Sequence, residues 1–282
     1  MPTAEIARLR ARATTHLTPC GDGHIVWHVW GDASPGVVPL LLLHGGSGSW
    51  THWLRNIDSL VDAGRQVWVP DLPGFGDSAL PPDGSDADAL PQPLEYGLRQ
   101  LLGAQAVDAV GFSFGGMVGG FLAQAYPERV AGLVLVGAPA LGMVARNTVR
   151  LKAWRHLPNP AQQAERHHYN LAALMLHDPQ AITAEAMELH IANVLRDRIP
   201  GRRLSYTDVL SKALQQVHCP VYAIYGREDA LYLGQLDALQ AALEAAPSFQ
   251  SLQLIDAAGH WVQYERADAF NKALLQLLDA TA

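Results

Sequence analysis

Three residue types that together perform nucleophilic catalysis occur in the order Ser, Asp, His, each shortly after a segment typical of a buried strand. Ser113 lies in GFSFG, Asp229 in YGRED and His260 in AGHW. A serine hydroxyl is a poor nucleophile at neutral pH, so it needs a positioned base and an acid that orients the base. The sequence therefore predicts Ser113 as nucleophile, His260 as base and Asp229 as acid. Glu228 and, more weakly, Asp256 remain as rival acids.

The segment around Ser113 has the residue types that a very tight strand-to-helix turn requires. Gly111 and Gly115 have no Cβ to clash with such a turn, which would expose the serine hydroxyl. An apolar VDAV precedes the turn, and Gly116 and an apolar helix-like segment follow it. The helix N-terminus would direct backbone N–H groups at a developing anion.

A second glycine-containing loop, LLLHGG at residues 41–46, ends another buried run. Glycine there lets the backbone approach a substrate closely, and we expect the N–H groups of Gly46 and Phe114 to form an oxyanion hole. Gly45 is the alternative to Gly46, and the sequence leaves the choice open. We interpret His44 as a buried residue that braces this loop by hydrogen bonds. In DLPGFGDS, residues 71–78, we expect a structural turn braced by Asp71.

Composition argues against several other classes of protein. The 282 residues are 49% apolar and 17% charged, which suits a large core, and the net charge of −7 argues against nucleic acid or an anionic membrane as partner. Two cysteines are no disulfide framework, and His167 and His168 have no ligand partners at metal-binding spacing. With no secretory or membrane-spanning signal, we expect a cytoplasmic protein that acts on a small molecule without cofactor or metal. Assembly into a homo-oligomer stays open.

The elements that must position these groups alternate between strand and helix. Strand-like runs cover residues 24–30, 38–43, 66–69, 106–110, 133–136, 221–225 and 251–255, and helical patterns cover 115–126, 236–245 and 267–278. This order predicts a mostly parallel sheet with helices on both faces, with ligands at the carboxyl ends of its strands. Residues 141–214 lack such runs, so we expect a core of 1–140 and 215–282 with a helical cap inserted. Residues 81–93 are expected to form a surface loop.

Five segments, HGG, DLPGFGDS, GFSFGG, YGREDALY and AGHWVQYERADAFNKALLQLL, occur in the order found in the α/β-hydrolase fold superfamily. The chain resembles that superfamily over nearly its whole length. The last segment and LMLHDPQAIT, residues 174–183, are similar to one branch, the hydrolases that cleave carbon–carbon bonds in ring meta-cleavage products. The resemblance implies the same fold and catalysis by Ser113, Asp229 and His260.

The chain departs from that branch at three places. Its oxyanion loop is shorter, Phe112 stands where the branch commonly has Asn, and His190 falls near the position of the cap arginine that binds the substrate carboxylate. Four other arginines are candidates for that role: Arg196, Arg198, Arg202 and Arg203. These departures leave the hydrolase interpretation intact and weaken the inference of the same substrate.

We therefore predict a serine hydrolase that cleaves a small carboxylic ester or related activated carbonyl through an acyl-enzyme. The alternative is carbon–carbon bond hydrolysis of a 2-hydroxy-6-oxo-dienoate. A non-catalytic ligand-binding protein on the same fold is disfavoured by the intact Ser, Asp and His. Dehalogenase chemistry is disfavoured because Ser113 stands where an aspartate would be needed. The candidate substrate-binding residues are Trp261, Phe112, Trp154 and His190.

Overall fold

The computed structural model describes residues 4–146, 148–199 and 201–279. Its centre is an eight-stranded sheet with the order β1-β2-β4-β3-β5-β6-β7-β8. The strands are β1 (Thr14–Cys20), β2 (Gly23–Trp30), β3 (Leu40–Leu43), β4 (Val67–Pro70), β5 (Val107–Phe112), β6 (Val130–Val136), β7 (Val221–Gly226) and β8 (Phe249–Ile255). Strand β2 pairs antiparallel with β1 and β4, and the pairings from β4 to β8 are parallel. This is the α/β-hydrolase architecture predicted from the sequence.

Ten α-helices surround the sheet in the described residues: α1 (Ala4–Arg12), α2 (Ile57–Asp62), α3 (Pro91–Leu102), α4 (Phe114–Ala125), α5 (Pro160–Asn170), α6 (Ala184–Leu195), α7 (Val209–Leu214), α8 (Leu236–Glu244), α9 (Val262–Glu265) and α10 (Ala267–Asp279). One π-helical turn, Leu171–Met175, continues α5. None of these helices combines the length and the apolar character that a membrane span requires.

The apolar run of β3 is explained by burial on both faces of the sheet. Leu41 and Leu43 pack into one core with residues of α3, α4 and α8. Leu40 and Leu42 pack into the other core, with residues of α1, α2 and α10. A strand covered by helices on both sides has no solvent face, so its apolar residues follow one another without alternation.

Two parts of the chain differ from the expectation. Residues 14–20 form the edge strand β1. Its Thr, His and Pro residues do not give the pattern of a strand, so the sequence did not predict it. Residues 81–93 are not a surface loop throughout, because Ala87 and Leu90 are buried and α3 begins at Pro91. Proline suits the first helical position, where its missing N–H costs no hydrogen bond.

The segment between β6 and β7 contains α5, α6 and α7, and no strand among its described residues. Its arginines bind the loop that follows β4. Arg198 donates hydrogen bonds to the backbone carbonyls of Phe75, Gly76 and Ser78, and Arg196 forms a 2.7 Å ion pair with Asp77. Hydrogen bonds and an ion pair of its arginines therefore hold this inserted segment against the core. The cap boundaries of 141 and 214 stay a prediction.

His28 on β2 is a buried titratable group that the fold keeps uncharged. It is 4% exposed, and neither ring nitrogen has a hydrogen-bond partner in the described structure. Its ring packs against Trp30 and Trp50. Burial, reinforced by the charge of Arg10, lowers the pKa of His28 from 6.5 to about 4.

We predict that this histidine makes the stability of the protein depend on pH. As the pH falls from 6.5 to about 4, the unfolded chain takes up a proton that folded His28 does not. The free energy of unfolding should therefore decrease, by at most about 1.4 kcal/mol per pH unit for this group. His28→Phe removes the proton site and no hydrogen bond, so urea unfolding of this variant should show a shallower pH dependence within that window.

His218→Phe is the matched control, because His218 is exposed and loses little hydration on folding. This control should keep the pH dependence of the parent protein. An unchanged dependence in His28→Phe would mean that His28 is protonated in the folded state, contrary to the structure.

Candidate active site

Ser113 lies between β5 and α4 in a conformation that non-glycine residues rarely adopt, with φ 50° and ψ −115°. The flanking glycines make this turn possible. A Cβ on Gly111 would lie 2.3 Å from the carbonyl oxygen of Gly115, and a Cβ on Gly115 would lie 2.3 Å from that of Leu43. The glycine spacing seen in the sequence is therefore a steric requirement of the turn, which holds Ser113 at the carboxyl end of β5.

The structure brings Ser113, His260 and Asp229 together. His260 Nε2 lies 2.9 Å from Ser113 Oγ, and His260 Nδ1 lies 2.8 Å from Asp229 Oδ2. Asp229 has no solvent exposure, and its other carboxylate oxygen accepts the N–H of Leu231 at 2.9 Å. This is the geometry in which a histidine can accept the proton of the serine while a buried carboxylate fixes its orientation.

The rival acids lie elsewhere. Glu228 accepts the backbone N–H of Ala258 at 3.0 Å and so braces the loop after β8. Asp256 is exposed and pairs with Arg227. Neither side chain contacts His260, and of the three carboxylates it is Asp229 that the structure brings to the histidine.

Two histidines form hydrogen bonds with the backbone of Gly45, one with its carbonyl oxygen and one with its N–H. His44 Nδ1 lies 2.8 Å from the Gly45 carbonyl oxygen, and His44 Nε2 accepts the N–H of Leu72 at 2.9 Å. The Gly45 N–H donates to His52 Nδ1 at 3.2 Å. Because its N–H is already engaged, Gly45 is less suited than Gly46 to receive an oxyanion.

Gly46 and Phe114 line the same cavity as Ser113. Phe114 is the first residue of α4, and the N–H groups of a first helical turn have no partner inside the helix. Neither N–H group has a hydrogen-bond partner in the described structure, which is consistent with the predicted oxyanion hole. Burial lowers the pKa of His44 to about 4, so the brace beside them stays uncharged at neutral pH.

Two adjoining chambers open beside Ser113. The first, about 330 Å³, contains Ser113, His260 and Phe112. Much of its wall is apolar, formed by Met117, Pro139, Val144, Leu151, Leu174, Met175, Ile199 and Leu231. The second chamber, about 510 Å³, shares Gly46, Ser47 and several apolar residues with the first. The further residues of its wall include His52, Lys152, Trp154, Arg155, Asn170 and His190.

The four predicted substrate-binding residues are distributed over these chambers. Phe112 lines the first, and Trp154 and His190 line the second. Trp261 instead lies one layer behind, where its ring stacks on Tyr264 at 4.1 Å and its Nε1 donates to the His52 carbonyl. It contacts the His52 ring at 5.0 Å, so it supports the wall of the second chamber instead of forming it.

Of the four arginines considered for substrate binding, Arg202 lines a chamber. Its guanidinium donates to both oxygens of Asp197, at 2.8 and 2.9 Å. Burial would raise the pKa of Asp197, but the Arg202 hydrogen bonds and the Ser47 hydroxyl lower it overall, so the pair is ionic. Arg203 is exposed and lies outside both chambers.

The polar chamber residues that the sequence did not single out include His52, Arg155 and Asp197. His52 is one of twelve histidines and has no distinctive neighbours, apart from its place shortly after the glycine-rich loop. Arg155 and Asp197 belong to the inserted segment, whose path over the sheet is not encoded in any local pattern. Within the described ranges, no group of three or more His, Cys, Asp or Glu residues could hold a metal ion.

Comparisons with known proteins place this geometry in context. A sequence model described as the alpha/beta hydrolase fold matches residues 38–267. The chain is 30% identical to a 2-hydroxy-6-oxononadienedioate/2-hydroxy-6-oxononatrienedioate hydrolase of Paraburkholderia phymatum, over 88% of this chain and 90% of the relative. Similar structures include the meta-cleavage product hydrolase CumD from Pseudomonas fluorescens IP01 (22% identity, TM-score 0.75, 95% and 98% coverage). Another is the esterase RhEst1 from Rhodococcus sp. ECU1013 (22% identity, TM-score 0.76, 95% and 99% coverage). At this identity, the structural likeness shows the fold alone.

We predict that a fluorophosphonate probe labels Ser113 covalently, because His260 can remove the hydroxyl proton as the oxygen attacks phosphorus and fluoride leaves. Intact-mass measurement should show one adduct, and peptide mapping should locate it at Ser113. Ser113→Ala should abolish the labelling. Ser205→Ala is the matched control, because Ser205 lines the same chamber without a histidine partner in the described structure. Labelling that persists in Ser113→Ala would identify a different nucleophile.

Proposed function

This chain belongs to the α/β-hydrolase fold family, and we propose that it hydrolyses a carbon–carbon bond in a 2-hydroxy-6-oxo-dienoate-type substrate, with Ser113 as nucleophile. The observation that carries the catalytic part is the continuous hydrogen-bonded series Ser113–His260–Asp229. The choice of bond is supported by the relatives, several of which are named hydrolases of such dienoates. The sequence alone favoured a small ester as substrate, and the relatives favour the alternative.

In the proposed reaction, His260 removes the proton of Ser113 as Oγ attacks the 6-oxo carbon. Asp229 keeps the proton on Nδ1 of His260 and stabilises the positive charge that the ring acquires. The oxygen of the attacked carbonyl becomes an anion between the N–H groups of Gly46 and Phe114. In known hydrolases, one such donor lowers the barrier by roughly 3–4 kcal/mol.

The bond that breaks next determines the requirements on the site. An ester releases an oxygen that carries negative charge readily, whereas a diketone releases carbon. In the 2-oxo form of the substrate, the electron pair of the broken bond can spread through the adjacent double bond to the 2-oxo oxygen. His260 then transfers to this fragment the proton that it took from Ser113. Water, activated by His260, then hydrolyses the Ser113 ester and releases the second fragment as a carboxylic acid.

Ester hydrolysis is the second candidate function, because Phe112 and His190 stand where the carbon–carbon branch carries its Asn and its cap arginine. The apolar wall of the first chamber would also accept an alkyl ester. Both reactions use Ser113, His260 and the same two N–H groups, and they differ in the leaving group.

We predict that purified protein bleaches the absorbance of 2-hydroxy-6-oxo-6-phenylhexa-2,4-dienoate and that Ser113→Ala slows this reaction by more than about a thousandfold. The same preparations are assayed on short p-nitrophenyl esters. Ester turnover with an untouched dienoate would select the second candidate. Loss of neither activity in Ser113→Ala would contradict both candidates.

A second prediction concerns the acid. Asp229→Asn keeps the buried shape but cannot hold the proton on Nδ1 of His260, so kcat should fall by roughly 10⁴-fold, as in known triads, with little change in KM. Glu228→Gln is the control, because the Glu228 carboxylate contacts the backbone of Ala258 and a glutamine oxygen can replace it. A large loss of kcat in Glu228→Gln with a small one in Asp229→Asn would reverse the assignment of the acid.

A further inference from the structure

The backbone that leads to His260 has a conformation that needs support. Ala257 has a φ of 54°, in the left-handed region that residues with a Cβ rarely adopt. Such a conformation costs free energy and persists only where the surrounding structure holds the chain in place. Arg266 Nε donates to the Ala257 carbonyl oxygen at 2.8 Å, and Glu228 accepts the N–H of Ala258 at 3.0 Å. Charged side chains therefore bind this loop at two successive residues.

Glu265, the last residue of α9, binds both this loop and the inserted segment. Its Oε2 accepts the N–H of Gly259 at 2.6 Å and the N–H of His177 at 3.1 Å. Its Oε1 accepts the N–H of Asp178 at 2.6 Å. A carboxylate accepts hydrogen bonds without donating any, so it suits three N–H groups that converge on one side chain. The residue before His260 is thus joined to two residues of the inserted segment.

The residue after His260 is also bound to the inserted segment. The N–H of Trp261 donates to the carbonyl oxygen of Met175 at 2.7 Å. Met175 ends the π-helical turn Leu171–Met175, and the last carbonyls of a helix have no partner inside it. Both chain neighbours of His260 therefore have a hydrogen-bonded connection to the inserted segment, one through a side chain and one directly.

The π-helical turn on the other side of this contact belongs to the chamber wall. Leu174 and Met175 line both chambers. The two backbones also approach closely, because a Cβ on Gly259 would lie 2.7 Å from the N atom of His177. The wall and the loop that carries His260 are therefore one hydrogen-bonded unit, and a displacement of either would displace the other.

The reaction depends on where this loop places the imidazole. Nε2 of His260 lies 2.9 Å from Ser113 Oγ, which is within the range that proton transfer requires. A misplacement of reacting groups by about 1 Å can cost roughly a hundredfold in rate. Glu265 is half-buried and lines neither chamber, so any effect that it has on the reaction must act through the backbone that it binds.

We propose that Glu265 is a positioning residue for His260. Its carboxylate holds the loop at Gly259 against the chamber-lining turn and so keeps Nε2 within reach of Ser113 Oγ. This inference rests on the proposed function, since it requires that His260 is the base that activates Ser113. The three N–H contacts predict that the role depends on both carboxylate oxygens.

The test separates the position of the base from substrate binding. Covalent labelling by a fluorophosphonate measures the reactivity of Ser113, and turnover of the dienoate measures kcat and KM. In Glu265→Ala, the labelling rate and kcat should both fall by roughly a hundredfold, with little change in KM. In the Ser113→Ala background, Glu265→Ala should leave the Kd of the dienoate unchanged. Urea unfolding establishes that each variant is folded.

Glu265→Gln tests the dependence on both oxygens. The glutamine oxygen can accept some of the three N–H groups, but its amide nitrogen would meet at least one of them as a second donor. Labelling and kcat should therefore lie between those of the parent protein and those of Glu265→Ala.

Glu185→Ala is the matched control. Glu185 accepts hydrogen bonds from the Tyr264 hydroxyl at 2.9 Å and from Arg55 at 3.0 Å, so it also joins the inserted segment to the core. It lines neither chamber and has no contact with the His260 loop in the described structure. This variant should label and turn over at the parent rate.

Equal labelling rates in Glu265→Ala and Glu185→Ala, or a loss that is confined to KM, would overturn the proposal. If Glu265→Ala does not fold, Glu265→Gln decides, because labelling at the parent rate in that variant contradicts a role for both oxygens. Labelling that persists in Ser113→Ala would instead overturn the proposed function, with which the assignment of His260 as base also fails.

Discussion

The contact between His260 and Asp229 sets the conditions that the rest of the site must meet. A carboxylate without solvent exposure is costly unless each oxygen has a donor, and here Leu231 N–H and His260 supply one each. To make this contact, the loops after β7 and β8 must approach very closely. A Cβ on Gly226 would lie 2.2 Å from the carbonyl oxygens of Ala258 and Gly259. The neighbouring strands of a parallel sheet supply this proximity, because their carboxyl ends meet at one edge.

The same contact distinguishes His260 from the other histidines of the site. His44, His52 and His190 are desolvated, their pKa values are lowered, and none has a carboxylate within hydrogen-bond distance in the described structure. A ring in that environment stays neutral and acts as a fixed donor or acceptor. His260 alone among these four rings contacts a carboxylate, which can stabilise the charge that it acquires from Ser113. Burial thus favours a structural role for three of the imidazoles, and the contact with Asp229 supports proton transfer as the proposed role of His260.

The sequence could predict those features whose pattern lies within a few consecutive residues. The turn at Ser113 needs a glycine two residues before it and another two residues after it. A motif of five residues is therefore enough to predict the turn. The acid and the base each follow a strand, and the order of strands is readable from apolar runs. The second chamber has no such signature. His52 faces it because the Gly45 N–H fixes its ring, and Arg155 lines it as part of the inserted segment. Trp261 shows the opposite case: the sequence predicted it as a substrate contact because it follows His260, and tertiary packing places its ring behind His52.

The junction between the two chambers is held by an ion pair of the inserted segment. Ser47, the residue after Gly46, has a φ of 51°, and its hydroxyl donates to Asp197 at 2.5 Å. Asp197 in turn binds Arg202, so hydrogen bonds join the inserted segment to the loop that carries Gly46, the proposed oxyanion donor. Because Asp197 and Arg202 neutralise each other, this pair can order the loop at Gly46 and Ser47 without adding a net charge to the chamber that contains Ser113.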